Sequence, residues 1–190
     1  MDYRENMLSD GEKWGAQLFA SRIRELEKEY EKAERRDEVK NAFGKLFEQW
    51  EERTEAEAGC LGICYLYSSI LMKTGELRLT LYGKELYMDS DQLELAWVPP
   101  CFFQIYEQDM LELFDKLQKV YPRIYQYEKD ALRYQHAEYY HAAIAALCRD
   151  MLDEIKDSAE YKRLKKTEDF YFFFGRWRGE AERLEDMYRI

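Results

Sequence analysis

The sequence predicts a mainly α-helical α+β protein, with helices packed around a long central helix at about 122–157 and a small antiparallel β-hairpin or meander. Three observations predict it. Residues 134–155, YQHAEYYHAAIAALCRDMLDEI, set Ile144, Leu147, Met151 and Ile155 at helical steps, among alanines that form helix well and let neighbours approach closely. Only three prolines and nine glycines occur in 190 residues, which favours long helices over a many-turned all-β fold. Residues 76–82 alternate strictly, with Leu77, Leu79 and Leu81 on one face, as a half-buried strand requires.

That length suits one domain over 1–190, divided into a helical arm at 10–57, a meander at 76–98 and a helical part at 105–189. Ser9 and Glu12 fit a capping box, so the first helix is expected to begin near residue 10. Phe19, Ile23, Leu26, Tyr30 and Ala33 then form a short coiled-coil-like seam. A fresh stripe runs through Val39, Phe43, Leu46 and Trp50, with Asp37 as its cap, so a kink or a junction of two helices is expected near residue 36. Residues 60–73, CLGICYLYSSILMK, are apolar almost all round and are read as a buried helix stopped at Gly75, with a strand as the alternative.

Gly83 and Lys84 offer a two-residue hairpin turn that would set Leu81 opposite Leu86 and Leu79 opposite Met88. Leu93, Leu95 and Trp97 mark a third strand over 92–98. After the stiff Pro99-Pro100 pair, the apolar positions from Ile105 to Val120 give a helix ending near Tyr121. Pro122 suits the first turn of the long helix. A last helix, capped by Thr167, is read through Phe170, Phe173, Phe174, Trp177, Ala181, Leu184 and Tyr188, although FYFFF alone would suit a strand.

The composition narrows the function classes. Hydrophobic residues make up 46% and charged residues 36%, a folded composition with a heavily charged surface. The net charge of −10 opposes nucleic-acid and anionic-membrane binding and favours a basic protein partner. The start of the chain has no apolar signal core and no run of 18 apolar residues occurs, so a cytoplasmic protein with reduced thiols is expected. Cys60, Cys64, Cys101 and Cys148 lack zinc-ribbon and C-x-x-C spacing, and each reads as a small buried hydrophobe.

No P-loop, dinucleotide fingerprint, nucleophile elbow or H-E-x-x-H motif is present, and no cofactor is expected. Glu138 and His141 have the E-x-x-H spacing of di-iron bundles, but His136 has Arg133 where its glutamate should stand, so a complete site of that kind is excluded. Cys148 and His141 lie two helical turns apart, about 10 Å, too far for direct proton transfer.

One span stands out. Between Glu85 and Asp115 there is no Lys, Arg or His, while eight acids, Tyr87, Trp97 and Tyr106 fall inside. Acids near a helix start and in turns account for part of this bias. The functional expectation is a non-catalytic acidic protein-binding module, for example an inhibitor of the immunity or antitoxin type. Its contact surface would comprise Tyr87, Asp89, Asp91, Glu94, Trp97, Tyr106, Glu107, Asp109 and Glu112. The alternatives are an enzyme or metal-binding protein with a site around His136, Glu138 and His141, and a homo-oligomeric structural protein using the N-terminal helices.

Overall fold

Leu61 and Ile63 join one apolar cluster while Cys60 and Cys64, on the same strand, join another, and all four are buried. A strand packed on both faces reads as a continuous apolar run, which is why its period is hidden in the sequence. The computed structural model describes residues 3–88 and 91–187, the side chain of Tyr87 excepted. In it residues 60–73 are not one buried helix. They contribute the central strand β1 (Ala58–Tyr65) and the short helix α3 (Tyr67–Leu71).

The chain begins with α1 (Tyr3–Tyr30) and α2 (Ala33–Arg53), which precede β1. After α3 come β2 (Leu77–Tyr82), β3 (Gln92–Trp97), α4 (Phe102–Val120) and α5 (Gln126–Asp150). The short helices α6 (Leu152–Asp157) and α7 (Ala159–Arg163) lead into β4 (Lys166–Arg176) and β5 (Ala181–Arg183). The five strands form one sheet in the order β3-β2-β1-β4-β5. Among the described strands only β1 and β4 pair in parallel, and the chain between them passes through α3, β2, β3 and then the helices α4 to α7. The fold is α+β, with α5 as its long central helix.

Helices cover one face of the sheet. Leu61, Ile63, Leu79, Leu81, Trp97 and Phe172 share a core there with Phe43, Phe47 and Trp50 of α2, Leu113 and Leu117 of α4, and Ile144 and Cys148 of α5. The opposite face carries the smaller cluster of Cys60, Cys64, Tyr82 and Phe173, with Leu86, Tyr171 and Trp177 packed against it. Gly62 belongs to this face because the Phe173 ring lies over it: a Cβ there would meet that ring at 2.4 Å.

Several local expectations are corrected by tertiary packing. Helix α1 starts at Tyr3, not near residue 10, because Met7 is fully buried and draws the first turns onto the core. Ser9 and Glu12 therefore lie inside the helix. Two helices abut at residues 31–32, and Asp37 pairs with Lys40 within α2 instead of capping it.

β2 pairs with β3, setting Leu81 opposite Leu93 and Leu79 opposite Leu95. The expected partner Met88 is 86% exposed, and Leu86–Met88 forms a single 3-10 turn within a longer connection. That connection is closed by the Gly83 N–H donating to the Asp91 carbonyl at 2.8 Å.

The expected C-terminal helix is the largest correction. Residues 166–176 form β4, where Phe172 and Phe174 face the helices and Phe173 faces the other way. Aromatics suit a pleated surface, and the parallel register with β1, Leu61 beside Phe172, outweighs the helical spacing. Tyr188 lies outside the described residues. Helix α5 begins at Gln126, where Glu128 accepts a hydrogen bond from the Tyr125 N–H at 2.8 Å, and its line continues past Met151 in α6.

The cysteines have an experimental signature. Burial pushes the Cys60 thiol up to about 11 and the Cys64 thiol up to about 12, and raises fully buried Cys148 as well. Cys101 is half-buried. In the native protein an alkylating reagent at pH 8 is expected to modify Cys101 first and to leave the other three largely unreacted. Peptide mass spectrometry reads this directly, and equal labelling of all four would contradict the packing of the sheet.

Candidate functional site

Helix α4 carries a stripe of Tyr106, Met110, Leu113 and Leu117, all buried, and Asp109 falls on that face. A carboxylate placed there must find partners or lose its charge. Asp109, fully buried, finds three. Its Oδ2 accepts from the Tyr140 hydroxyl at 2.7 Å and lies 3.2 Å from His136 Nε2, both on α5. Its Oδ1 accepts from Arg22 Nε of α1 at 3.2 Å. Burial alone would raise the Asp109 pKa, but hydrogen bonds from His136 and Tyr140, the His136 charge and Arg22 outweigh it and hold the carboxyl below its ordinary value. Burial, and then the Asp109 carboxylate, push the Tyr140 hydroxyl up, so it stays a donor.

The network ties three helices together. The crevice between α1 and α5 beside it, lined by Gly11, Gly15, Leu132 and His136, has a cavity volume of ≈ 0 Å³. A Cβ at Gly15 would sit 3.0 Å from His136 Nδ1, and one at Gly11 would sit 2.6 Å from Leu132. The two glycines are therefore the notch that lets α1 cross α5 closely. The arrangement is a packed polar tie between helices.

The residues of the alternative site do not converge. His136 is taken up by Asp109, Glu138 is exposed, and His141 stacks on Tyr65 with ring centroids 4.0 Å apart. His141 Nδ1 is buried without a hydrogen-bond partner among the described residues, and burial pushes the imidazole down to about 4. His141 borders a cavity of ≈ 30 Å³ shared with Ser69, Phe103, Tyr106 and Tyr140, room for about one water. Among the described residues no group of three or more His, Cys, Asp or Glu is placed to hold a metal ion.

The acidic span divides in two. Its second half turns inward or finds cations within the fold. Arg133 pairs with Glu107, Arg22 bridges Asp109 and Glu112, and Lys119 pairs with Asp115. Tyr106 is buried and donates to the Arg133 carbonyl at 2.9 Å, while buried Trp97 packs edge-on against Phe43 at 5.8 Å. Trp97, Tyr106 and Asp109 are thus buried and face the interior rather than a docking surface, while Glu107 and the exposed Glu112 have arginine partners within the fold. The signal that could have found the tie was in the sequence: Asp109 falls at a buried helical step, and the missing cations lie more than twenty residues away on α1 and α5.

The first half stays outside. Glu85 and Glu94 are exposed and form no ion pair among the described residues, and Asp91 is half-buried. Asp89 lies outside the described residues, as does the side chain of Tyr87. Glu94 sits on β3, which ends the sheet: β3 pairs with β2 on one side and with no described strand on the other.

Fold and surface together define an acidic α+β protein with a buried polar tie and a carboxylate-bearing sheet edge. No known protein family, curated protein or solved structure matches the chain. No helix among the described residues is long and apolar enough to cross a membrane.

Proposed function

We propose that this chain is a non-catalytic acidic protein-binding module. It takes a basic protein partner on the β3 edge and the β2–β3 connection. An inhibitor of the immunity or antitoxin type, neutralising a cationic protein, is one concrete form. The observation that carries this reading is the contrast within the acidic span. Glu107, Asp109, Glu112 and Asp115 have cations within the fold, whereas Glu85 and Glu94 stand exposed without one among the described residues. In a chain of net charge −10, Glu94 on the β3 edge and Glu85 in the connection leading to it would steer a cationic partner there.

The test is the double charge reversal Glu85→Lys with Glu94→Lys, used as bait beside the wild-type chain against extracts of the cells that encode it. The wild type is expected to retain a basic protein whose binding weakens with salt. The reversal is expected to lower that affinity by about tenfold or more, chiefly through slower association. An affinity and salt dependence identical in both baits would remove the reading.

A further inference from the structure

We infer that the basic partner engages β3 with its main chain, as an extended segment of alternating basic and apolar residues that adds a strand to the sheet. This inference rests on the reading above and goes further, by naming the shape and pattern of what binds. A strand at a sheet edge presents a row of backbone N–H and C=O groups aimed away from the sheet, ready to pair with another chain. The two edges here are unequal. β5 has three residues, whereas β3 has six in unbroken antiparallel register with β2, from Leu77 opposite Trp97 to Tyr82 opposite Gln92. Six residues span about 20 Å, which an incoming segment of about six to eight residues would match.

The side chains of β3 state what that segment must carry. Gln92, Glu94 and Ala96 are exposed on the outer face of the sheet. Leu93 and Trp97 are buried on the helix-covered face, and Leu95 between them is only half-buried. An added strand would set every second side chain beside Glu94 and the intervening ones beside Leu95, because neighbouring strands share their alternation. Lysine or arginine fits the first set: Thr80 lies opposite Glu94 and supplies no charge, and Arg78, opposite Ala96 on the same face, is paired with Glu76 at 2.8 Å. Valine, isoleucine or leucine fits the second, covering the open flank of Leu95.

A second copy of this chain is the competing occupant, and the charges oppose it. Antiparallel pairing of two β3 strands with matched faces centres on Glu94 or on Leu95. The first register sets Glu94 against its twin, and the second sets it against Ala96, with no cation on either strand. Two chains of charge −10 also repel one another.

The experiment uses the full chain and a synthetic eight-residue peptide alternating lysine and valine. Two further versions are N-methylated on one or the other alternate set of residues. Calorimetry at low salt is expected to show binding of the unmodified peptide that weakens as salt rises, and a loss of about tenfold or more with Glu94→Lys. Of the two methylated peptides, one is expected to lose about tenfold or more and the other to bind nearly as well as the parent. Only one alternate set of N–H groups of an added strand points at β3, so this asymmetry marks main-chain pairing. Equal binding of all three peptides would overturn strand addition and leave a purely electrostatic surface. No binding of the parent peptide at 1 mM would also overturn it, and the bait experiment above would still decide the broader reading. A wild-type dimer in light scattering that Glu94→Lys alters would assign the edge to a second copy instead.

Discussion

Replacing Asp109 with alanine is expected to destabilise the protein by about 3–5 kcal/mol, because it strips the common acceptor from a buried network. The Arg22 guanidinium, His136 Nε2 and the Tyr140 hydroxyl all lose their partner together, and His136 and Tyr140 have almost no access to water. Urea denaturation measures the effect as a shift of midpoint. Glu112→Ala is the control. Glu112 also accepts from Arg22, at 2.6 Å, but half of its side chain is exposed, so its loss is expected to cost less than about 1 kcal/mol. If the two variants matched, the tie would have no special role in holding α1 on α4 and α5.

The same carboxylate gives an acid limb. Its folded pKa lies below the ordinary value, so its contribution is present above about pH 4 and is lost as pH falls through the folded pKa.

His141 supplies the second large effect, over a higher pH window. The folded protein keeps this imidazole neutral down to about pH 4, whereas the unfolded chain takes up its proton at 6.5. Between those values the unfolded state binds more protons, so stability falls as pH drops from 6.5 toward 4. A shift of this size corresponds to about 3 kcal/mol by pH 4. His141→Phe retains a flat ring to stack on Tyr65 and carries nothing to titrate. The difference in unfolding free energy between pH 7 and pH 4 is expected to be about 3 kcal/mol smaller in this variant than in the wild type. Parallel pH profiles for the two proteins would show that His141 is solvated in the native state.

The sequence was most legible where one face of an element meets water. The alternation of Leu77, Leu79 and Leu81 marks β2, and the Val39, Phe43, Leu46 and Trp50 stripe marks α2, because solvent on the other side leaves polar residues at a readable period. Elements covered on both sides were misread. β1 and β4 are flanked by strands and packed on both faces, so their apolar residues run together and show no period of two. In β4 the phenylalanines also fell at steps that suit a helix, and only the neighbouring β1 selected the strand. The β2 hairpin shows the same limit from another side. Leu86 and Met88 match β2 in character as well as Leu93 and Leu95 do, so pattern alone did not choose the register.

The candidate surface divides along that line. By itself the sequence determined that the protein is acidic, that its fold is α+β around a long helix, and that acids gather without cations between residues 85 and 115. Only the tertiary structure decided which of those acids find a cation within the fold. Arg22 on α1 and Arg133 on α5 reach across from distant parts of the chain to Asp109, Glu112 and Glu107, while Glu94, at the end of a sheet, forms no ion pair among the described residues. The reason is that charge along a chain is a local property, whereas neutralisation depends on which helices cross, and the Gly11–Gly15 notch sets how closely α1 can approach α5.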